Sequence, residues 1–469
     1  MIHDLRPYPR MKDSGVPCLG QVPEHWKIQP LKHWVRINTQ VLSEATSPES
    51  KFNYLDIGSV GTGTLIHKPQ VLDFKSAPSR ARRITRCGDT IMSTVRTYLN
   101  AVYHIDKEYD SLIVSTGFAV LSPRSGTISR FVTYSAQSAA FTNQVTANSV
   151  GIAYPAISES RLGSFLVAAP PPTEQTAIVR FLDHADRRIR KAIAAKQKLI
   201  RLLQEQKQVI IHQAVTRGLD PNVKLKPSGV EWLGDVPAHW KFVRGKYLFQ
   251  QTEWPVESND EIVTCFRDGQ VTLRRLRRET GFMVALKEGG YQRVVKGQLV
   301  IHAMDAFAGA IGVAEASGKC TPEYIVLDSR NHPVSPEFYA QTLRIAAKKG
   351  YILMMCPAVR ERAPRFRYPS FGEMLLPVPP YEEQVEITKS IDLQTQAINQ
   401  IIERTKREQE LLGEYRTRLI ADVVTGKLDV REAASLLPDP EQEAVPEELG
   451  GEETEGLEGE GTEAEAGEE

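Results

Sequence analysis

Apolar residues recur every seven positions in two stretches of the chain, each about 40 residues long. Most of the intervening positions are charged or polar, which is typical of long helices that pack along a seam. At 1.5 Å per residue each helix would extend about 60 Å, too far to be buried all round by domains of ordinary size. The pattern therefore predicts that the two helices pack on each other as a coiled coil. The repeating positions are Leu182, Ile189, Lys196, Leu203 and Ile210, interleaved with Ile178, Ala185, Ala192, Leu199 and Gln206, and then Ile391, Ile398, Thr405, Leu412 and Leu419, interleaved with Ile387, Gln394, Ile401, Glu408 and Tyr415.

Two sets of motifs occur twice, in the same order. Residues 12–27 read KDSGVPCLGQVPEHWK and residues 226–241 read KPSGVEWLGDVPAHWK, an offset of 214 residues. The prolines of PPPTEQ at 170–175 and of PPYEEQ at 379–384 exclude helix on their N-terminal side, so they predict where the two long helices begin. Because this frame repeats head to tail, an antiparallel helix pair would relate the two halves of the chain by a pseudo-two-fold axis.

The segments between the motifs differ in sequence but show a common pattern. Short runs rich in β-branched and aromatic residues, punctuated by glycines, predict strands at 90–95, 118–121, 298–301 and 324–327. The strings that start at Gly88 and Gly297 are weakly similar, which suggests that the two inserts share a fold and differ in surface. We therefore predict a mixed α/β (α+β) protein with two globular domains separated by two long antiparallel helices.

The net charge of zero conceals an uneven distribution. Because 14 of the 58 acidic residues lie between Asp439 and Glu469, where there is no lysine or arginine, the rest of the chain carries an excess of 14 basic residues. The Gly- and Glu-rich tail is predicted to be disordered, either as a solubilising appendage or as a polyanion mimic, and the basic body favours an anionic partner such as nucleic acid. The five cysteines are scattered, and no apolar run approaches the 18 residues of a membrane span, so we expect a cytoplasmic protein without disulfide framework, zinc site or membrane contact.

Strings that resemble catalytic motifs have simpler explanations. The PPY at 379–381 follows valine instead of the Asp or Asn of amino-methyltransferases, and the glycine-rich strings at 58–63 and 307–312 lack dinucleotide-binding spacing. The E-x-K at 205–207 lies within a heptad helix. His25-Trp26 and His239-Trp240 favour Trp-anchored turns that dock each insert on the frame. We predict no catalytic residue, no metal site and no cofactor in this chain.

Clusters of arginine in the inserts are the stronger functional candidates, because the planar guanidinium can pair with guanine edges or with phosphates. Single clusters could equally be solvated charged faces, but there are two in each insert. The candidate DNA-binding residues are Arg80, Arg82, Arg83, Arg86, Arg96 and Tyr98 in the first insert, and Arg274, Arg275, Arg277, Arg278, Arg360, Arg362, Arg365 and Arg367 in the second, with Lys75, Phe366 and Tyr368 nearby.

The doubled order of SGV, LG, VP and HW, a variable region, an EQ motif after prolines and a long helix resembles the specificity subunit of type I restriction-modification systems, over residues 12–429. The resemblance implies two target recognition domains, each reading one half of a bipartite DNA sequence, held apart by the helices. It implies double-stranded DNA, two modification subunits and the restriction subunits as partners. S-adenosylmethionine for adenine methylation, with ATP and Mg²⁺ for translocation and cleavage, would then belong to those partners.

The resulting domain prediction has five parts: recognition domain 1 at 1–168, spacer helix 1 at 169–220, recognition domain 2 at 221–376, spacer helix 2 at 377–430 and a disordered acidic tail at 431–469. The helices would space the recognition domains and dock the partner subunits, through Leu182, Ile189, Leu203, Ile210, Ile391, Ile398, Leu412 and Leu419. Two alternatives stay open: a stand-alone nuclease or methyltransferase with an unrecognised centre, and a coiled-coil scaffold whose inserts bind proteins.

Overall fold

The computed structural model describes residues 5–151, 154–277, 290–330, 333–356 and 364–438. These residues form two compact units. Unit 1 consists of the residues before 198 together with 406–438, and unit 2 consists of residues 198–405. Each unit has its own hydrophobic clusters.

Unit 1 contains short strands and small helices ahead of the first long helix. Its strands are β1 (Met11–Asp13), β2 (Gln21–Pro23), β3 (Lys27–Pro30), β4 (Val35–Ile37), β5 (Lys51–Leu55), β6 (Gln70–Asp73), β7 (Ala81–Thr85), β8 (Thr90–Ser93), β9 (Val102–His104), β10 (Leu112–Ser115), β11 (Phe118–Pro123) and β12 (Leu166–Ala169). Its helices are α1 (Ser129–Gln137), α2 (Ala139–Ala147), α3 (Glu159–Ser164) and the first part of α4 (Pro172–Arg217).

Unit 2 follows the same order. Its strands are β13 (Leu225–Pro227), β14 (Asp235–Pro237), β15 (Lys241–Arg244), β16 (Phe249–Gln251), β17 (Val263–Cys265), β18 (Val271–Leu273), β19 (Gln292–Val294), β20 (Leu299–His302), β21 (Ile311–Val313), β22 (Gly318–Cys320), β23 (Tyr324–Ser329) and β24 (Leu375–Val378). Its helices are α5 (Gly245–Leu248), α6 (Pro336–Lys348), α7 (Tyr351–Met354), α8 (Tyr368–Glu373) and the first part of α9 (Tyr381–Val424), whose remainder joins unit 1 with α10 (Arg431–Ser435).

The central sheet has the same antiparallel order in both units. It runs β4-β11-β8-β9 in unit 1 and β16-β23-β20-β21 in unit 2. The glycine turns before β8 and β20 also correspond: Gly88 and Gly297 have φ of 89° and 93°, and each N–H donates at 2.8 Å to a carbonyl, of Ile105 and Ala314 respectively. The prediction that the inserts share a fold is confirmed for this layer.

Burial on both faces explains why the central strands are continuous apolar runs. In β11, Ala119 and Leu121 share a cluster with Phe131 of α1, whereas Phe118 and Val120 belong to the cluster that includes Leu55 of the second sheet. In unit 2 the alternate residues of β20 and β23 divide in the same way between the cluster containing α6 and the cluster containing β17 to β19. A strand sandwiched between two layers needs apolar side chains on both faces.

The second layer is where the units differ. Unit 1 has a four-stranded sheet in the order β6-β5-β10-β7, with β5 and β10 parallel. Unit 2 has two separate pairs, β17-β18 and β19-β22. The two units therefore differ in the strand pairing of this second layer, over a shared central sheet.

The two long helices have 46 and 44 residues and begin where the prolines predicted. Within unit 1, Asp186 and Lys196 of α4 bind Arg416 and Glu408 of α9, and within unit 2 Lys207 bonds Asn399 at 2.8 Å. In unit 1 the residue numbers rise along one helix as they fall along the other, so the paired segments there are antiparallel, as predicted.

One part of the predicted seam is wrong. Leu182, Ile189, Ile391, Ile398 and Leu419 are buried, and Leu203, Ile210 and Leu412 are half-buried. The interleaved residues Ile178, Ala185 and Ile387 are also buried as predicted, but three later interleaved positions of α9 lie one residue beyond the predicted ones. Ile401 and Tyr415 are exposed, and Ile402 and Arg416 face inward instead. Polar residues occupy inner positions here, since Arg416 binds Asp186 within the seam and Thr395 is buried.

The predicted start of the disordered tail is also wrong. Residues 431–438 fold in unit 1, with Ala434 buried beside Val430 in the main cluster, and Arg180 donates a hydrogen bond to the Leu437 carbonyl at 2.5 Å. The rest of that prediction, from 439 onward, lies outside the described residues. The other domain boundaries stay predictions, since the two compact units each take part of both long helices.

Candidate nucleic-acid interface

The repeated His-Trp and Glu-Gln motifs contact each other within each unit. In unit 1, Trp26 Nε1 donates to Glu174 at 2.9 Å and His25 Nε2 lies 2.6 Å from the same carboxylate. In unit 2, Trp240 Nε1 and His239 Nε2 bond Glu383 at 3.0 and 2.8 Å. The predicted Trp-anchored turn is confirmed, and its partner, which the sequence analysis missed, is the Glu of the EQ motif.

The neighbouring glutamine holds a second part of each unit. Gln175 Nε2 donates to Pro170 O at 2.9 Å, and its Oε1 accepts from Ile128 N, the residue before α1. Gln384 does the same with Pro379 O and with Ser335 N, the residue before α6. The start of each long helix thus binds both the His-Trp motif and the residue before the helix that covers the central sheet. Each unit uses the same contacts, which is why these motifs occur twice.

Unit 1 contains an additional set of contacts between residues 6–8 and residues 429–431, which follow α9. Tyr8 donates to Glu174 at 3.0 Å, the Arg6 carbonyl accepts from Asp429 N at 2.8 Å, and Arg431 lies over the Tyr8 ring at 4.9 Å. Burial, and then the charge of Glu174, raises the pKa of Tyr8, so this hydroxyl stays protonated and remains a donor. By the repeat offsets, residues 6–8 and residue 429 both correspond to residues near 220, where the chain runs continuously from α4 to β13 in unit 2.

The first basic cluster of unit 1 divides into exposed and engaged side chains. Arg80 and Arg86 are exposed. Arg82 lies over the Phe74 ring at 5.2 Å, and Arg83 is bound to Glu159 with its side chain mostly buried. Arg80 and Arg86 are therefore the more accessible DNA-binding candidates, whereas Arg83 would have to exchange its carboxylate partner for a phosphate or base.

Arg96 and Tyr98 lie in one exposed turn. This turn, residues 96–100, begins and ends with left-handed residues, Arg96 at φ 52° and Asn100 at φ 46°. Arg96 stacks on the ring of Tyr154 at 5.0 Å, and both Tyr98 and Tyr154 are largely exposed. Non-glycine residues rarely adopt positive φ, and such strain concentrates at functional sites. Tyr154 was missed by the sequence analysis, because a single tyrosine gives no signal of exposure.

In unit 2 the described arginines of the predicted clusters are mostly paired. Arg275 bonds Glu261 at 2.6 Å, Arg277 bonds Asp268 at 2.8 Å and stacks on Phe266, and Arg365 lies 3.2 Å from Glu323. Arg274 Nε donates to Thr264 at 3.0 Å, and Arg367 is exposed. The remaining predicted residues, Arg278, Arg360 and Arg362, lie outside the described residues.

The aromatic residues beside the last cluster belong to the core. Phe366 is fully buried, and the Tyr368 hydroxyl donates to Phe249 O at 3.1 Å. Trp254, which the sequence analysis did not select, is instead half exposed next to Arg293 of β19. An exposed tryptophan beside the divergent layer is a candidate for stacking on a base.

The described residues contain no group of three His, Cys, Asp or Glu side chains placed to hold a metal ion. Among the helices in this part of the chain, none is long and apolar enough to cross a membrane.

Part of the chain is similar to a known family, and its fold is similar to solved structures. Residues 79–199 match the family described as type I restriction modification DNA specificity domain. A solved chain from work on the complex assembly and conformational transition of the type I R-M system has a TM-score of 0.64 at 19% identity, covering 87% of this chain and 99% of that one, and so shares the fold. The HsdS subunit from Thermoanaerobacter tengcongensis is also similar, at 21% identity, 87% and 98% coverage and a TM-score of 0.44. Residues 79–199 are therefore similar to the DNA specificity domain of type I restriction-modification systems, which supports the family predicted from the doubled motifs.

Proposed function

We propose that each unit reads one half of a bipartite, asymmetric duplex sequence, and that the long helices set the gap between the halves and dock the methyltransferase and restriction subunits. The observation that carries the first part is the repetition of one central sheet under two different second layers. A shared frame gives both units the same means of attachment, and different second layers present different side chains to the two half-sites.

Exchange of one insert tests this reading. Residues 28–160 are replaced by the corresponding segment of another specificity subunit, and the methylated sequence is determined by methylome sequencing in a host that supplies the modification subunits. We expect one half of the sequence to change and the other half to be retained. Exchange of residues 242–370 is the matched control and should change the other half. A change in both halves after either exchange would contradict the proposal.

Exposed arginines in both units support a duplex as the ligand. Arg80, Arg86 and Arg96 in unit 1 and Arg367 in unit 2 are accessible for phosphate or base contacts. Neutralising several phosphates releases condensed counterions, so the duplex affinity should fall steeply with salt. A coiled-coil scaffold that binds only proteins would show no such dependence.

Apolar residues exposed on the long helices support docking. In unit 2, Leu199, Leu202 and Val209 of α4 and Leu393 and Ile401 of α9 are between about two-fifths and three-quarters exposed. Leu202 and Val209 are seven residues apart and lie on one face of the helix. Several large aliphatic side chains left in water along one element are typical of a surface that a partner covers.

Charge substitution tests the docking surface. Burying an aliphatic side chain contributes about 2 kcal/mol, so Leu202→Asp and Ile401→Asp should each weaken the association with the modification subunit at least about 30-fold. The matched control is Gln400→Asp, which adds the same charge at an exposed polar position. Association is measured by analytical ultracentrifugation of the mixed subunits. Equal affinities for Ile401→Asp and Gln400→Asp would exclude this part of the surface.

We assign methylation and cleavage to the partner subunits, and we expect the assembled complex to act in the cytoplasm. Adenine methylation with S-adenosylmethionine and ATP-dependent cleavage with Mg²⁺ would both depend on them, and this chain would contribute the choice of sequence. The purified chain, incubated with duplex and each cofactor, should neither methylate nor cleave. Activity of the chain alone would favour the stand-alone enzyme instead.

A further inference from the structure

One buried carboxylate in unit 1 holds an arginine from each long helix. Asp186 of α4 is 7% exposed. Its Oδ2 accepts from Arg190 Nε at 2.7 Å, and its Oδ1 accepts from Arg416 Nε of α9. Charge-assisted hydrogen bonds in a buried setting are strong and directional, so these three residues, the Asp186 cluster, define a fixed local geometry.

Arg190 extends this cluster to a loop of the recognition domain. Its Nη2 donates to Gly63 O at 2.8 Å. Gly63 has φ of 75°, and a Cβ atom at this position would lie 3.0 Å from the Nη2 atoms of both Arg190 and Arg416. The close approach of the loop to the two guanidinium groups therefore depends on glycine.

The same loop is bonded to the end of the Arg96–Asn100 turn. Gly63 N donates to Val102 O at 2.7 Å, and Thr62 Oγ1 donates to Asn100 O at 2.8 Å. Asn100 is the second left-handed residue of the turn that carries Arg96 and Tyr98. A short series of hydrogen bonds thus connects the seam of the helices to the exposed turn.

Unit 2 has a different arrangement at the matching sequence positions. With the offset of 209 residues, Thr395, Asn399 and Lys207 correspond to Asp186, Arg190 and Arg416. The contact across the helices at these positions is a hydrogen bond from Lys207 to Asn399, and the glycine loop at Gly269 packs against Arg344 of α6. The buried carboxylate that joins both helices to a loop is thus found in unit 1 at this register.

We propose that Asp186, Arg190 and Arg416 are positioning residues that hold the Arg96–Asn100 turn in its DNA-reading geometry without contacting DNA. The inference rests on the proposed function of unit 1 as the reader of one half-site. The left-handed conformations of Arg96 and Asn100 need support from the surrounding structure, and the cluster supplies it through Gly63 and Thr62. Loss of the carboxylate frees the two arginines from each other and the loop from the helices.

The test is half-site discrimination by the full chain in complex with its modification subunits. Three duplexes are compared: the methylated sequence, and two versions with one base pair changed in either half. Because one well-read base pair contributes about 1–3 kcal/mol, Asp186→Asn should lower discrimination at the half read by unit 1 by about tenfold or more. Discrimination at the other half should stay within about twofold, since distant sites act independently.

Three further variants separate positioning from stability. Asp186→Glu keeps the charge and should restore part of the discrimination. Gly63→Ala keeps all three charged groups but places a Cβ against the two guanidinium groups and so displaces the loop, and it should reproduce the loss at the same half. Thr395→Ala, at the matching position of unit 2, should leave the half read by unit 1 unchanged.

Two results would overturn the proposal. Equal losses at both halves would show a general loss of stability, and unchanged discrimination in both Asp186→Asn and Gly63→Ala would show that the turn needs no support from the helices. Failure of the proposed function is recognised separately, because exchange of residues 28–160 would then not change one half of the methylated sequence.

Discussion

Removal of the Glu174 carboxylate tests how much the contact between the His-Trp and EQ motifs stabilises unit 1. Glu174→Ala leaves Trp26 Nε1 and the Tyr8 hydroxyl without their acceptor, and both residues are almost completely buried. An unsatisfied buried donor costs about 1–3 kcal/mol, so two donors should lower the free energy of unfolding of unit 1 by about 4 kcal/mol. The half-exposed His25 can bond water instead and adds little.

The same substitution in unit 2 provides an internal comparison. Glu383→Ala leaves one buried donor, Trp240 Nε1, without an acceptor, whereas the half-exposed His239 can bond water instead. We therefore expect a loss of about 2 kcal/mol, half that of Glu174→Ala. Glu174→Gln keeps an acceptor oxygen and should cost less than the alanine substitution.

The assay must follow each unit separately, because two compact units need not unfold in one transition. Hydrogen exchange with mass spectrometry, read along a urea series on peptides of β2 to β3 and of β14 to β15, reports the two units in one sample. Faster exchange confined to unit 1 in Glu174→Ala, and to unit 2 in Glu383→Ala, is the expected outcome. The reasoning fails if Glu174→Ala costs no more than Glu383→Ala, or if either variant loosens both units equally.

Three other predictions follow from the structure. Insertion of one heptad into both long helices adds about 10 Å, and should lengthen the gap between the half-sites by up to about three base pairs, read by methylome sequencing. Arg96→Ala should weaken duplex binding more than Arg83→Ala in a salt titration, since Arg83 is bound to Glu159, and an equal effect would show that Arg83 exchanges its partner freely. Burial, then the charge of Arg130, lowers the pKa of His104 from 6.5 to about 4. Because the unfolded chain binds this proton first, stability should fall as the pH drops from 6.5 towards 4, by about 3 kcal/mol in total, and His104→Gln should show a shallower decline in urea unfolding.

The repeated frame and the long helices could be predicted from the sequence because each leaves a local trace. Prolines before TEQ and YEEQ exclude helix by covalent geometry, and a heptad of apolar residues has few structural meanings other than a packed helix. Doubled motifs in the same order indicate a doubled structure whatever their chemistry. The central strands were recognisable since burial on both faces demands an unbroken apolar run.

Tertiary structure alone decided which polar groups meet. The pairing of Trp26 with Glu174 joins residues 148 positions apart, and that of Asp186 with Arg416 joins residues 230 apart. Local periodicity does not encode pairings over such sequence separations. It also predicts Ile401 at the inner seam position, which Ile402 occupies in the structure. Arginine clusters predicted a basic surface, but only the fold separated Arg83, held by Glu159, from the exposed Arg96. Local sequence determines which elements form, whereas the free energy of a buried charge or donor depends on the partner that the folded chain brings to it.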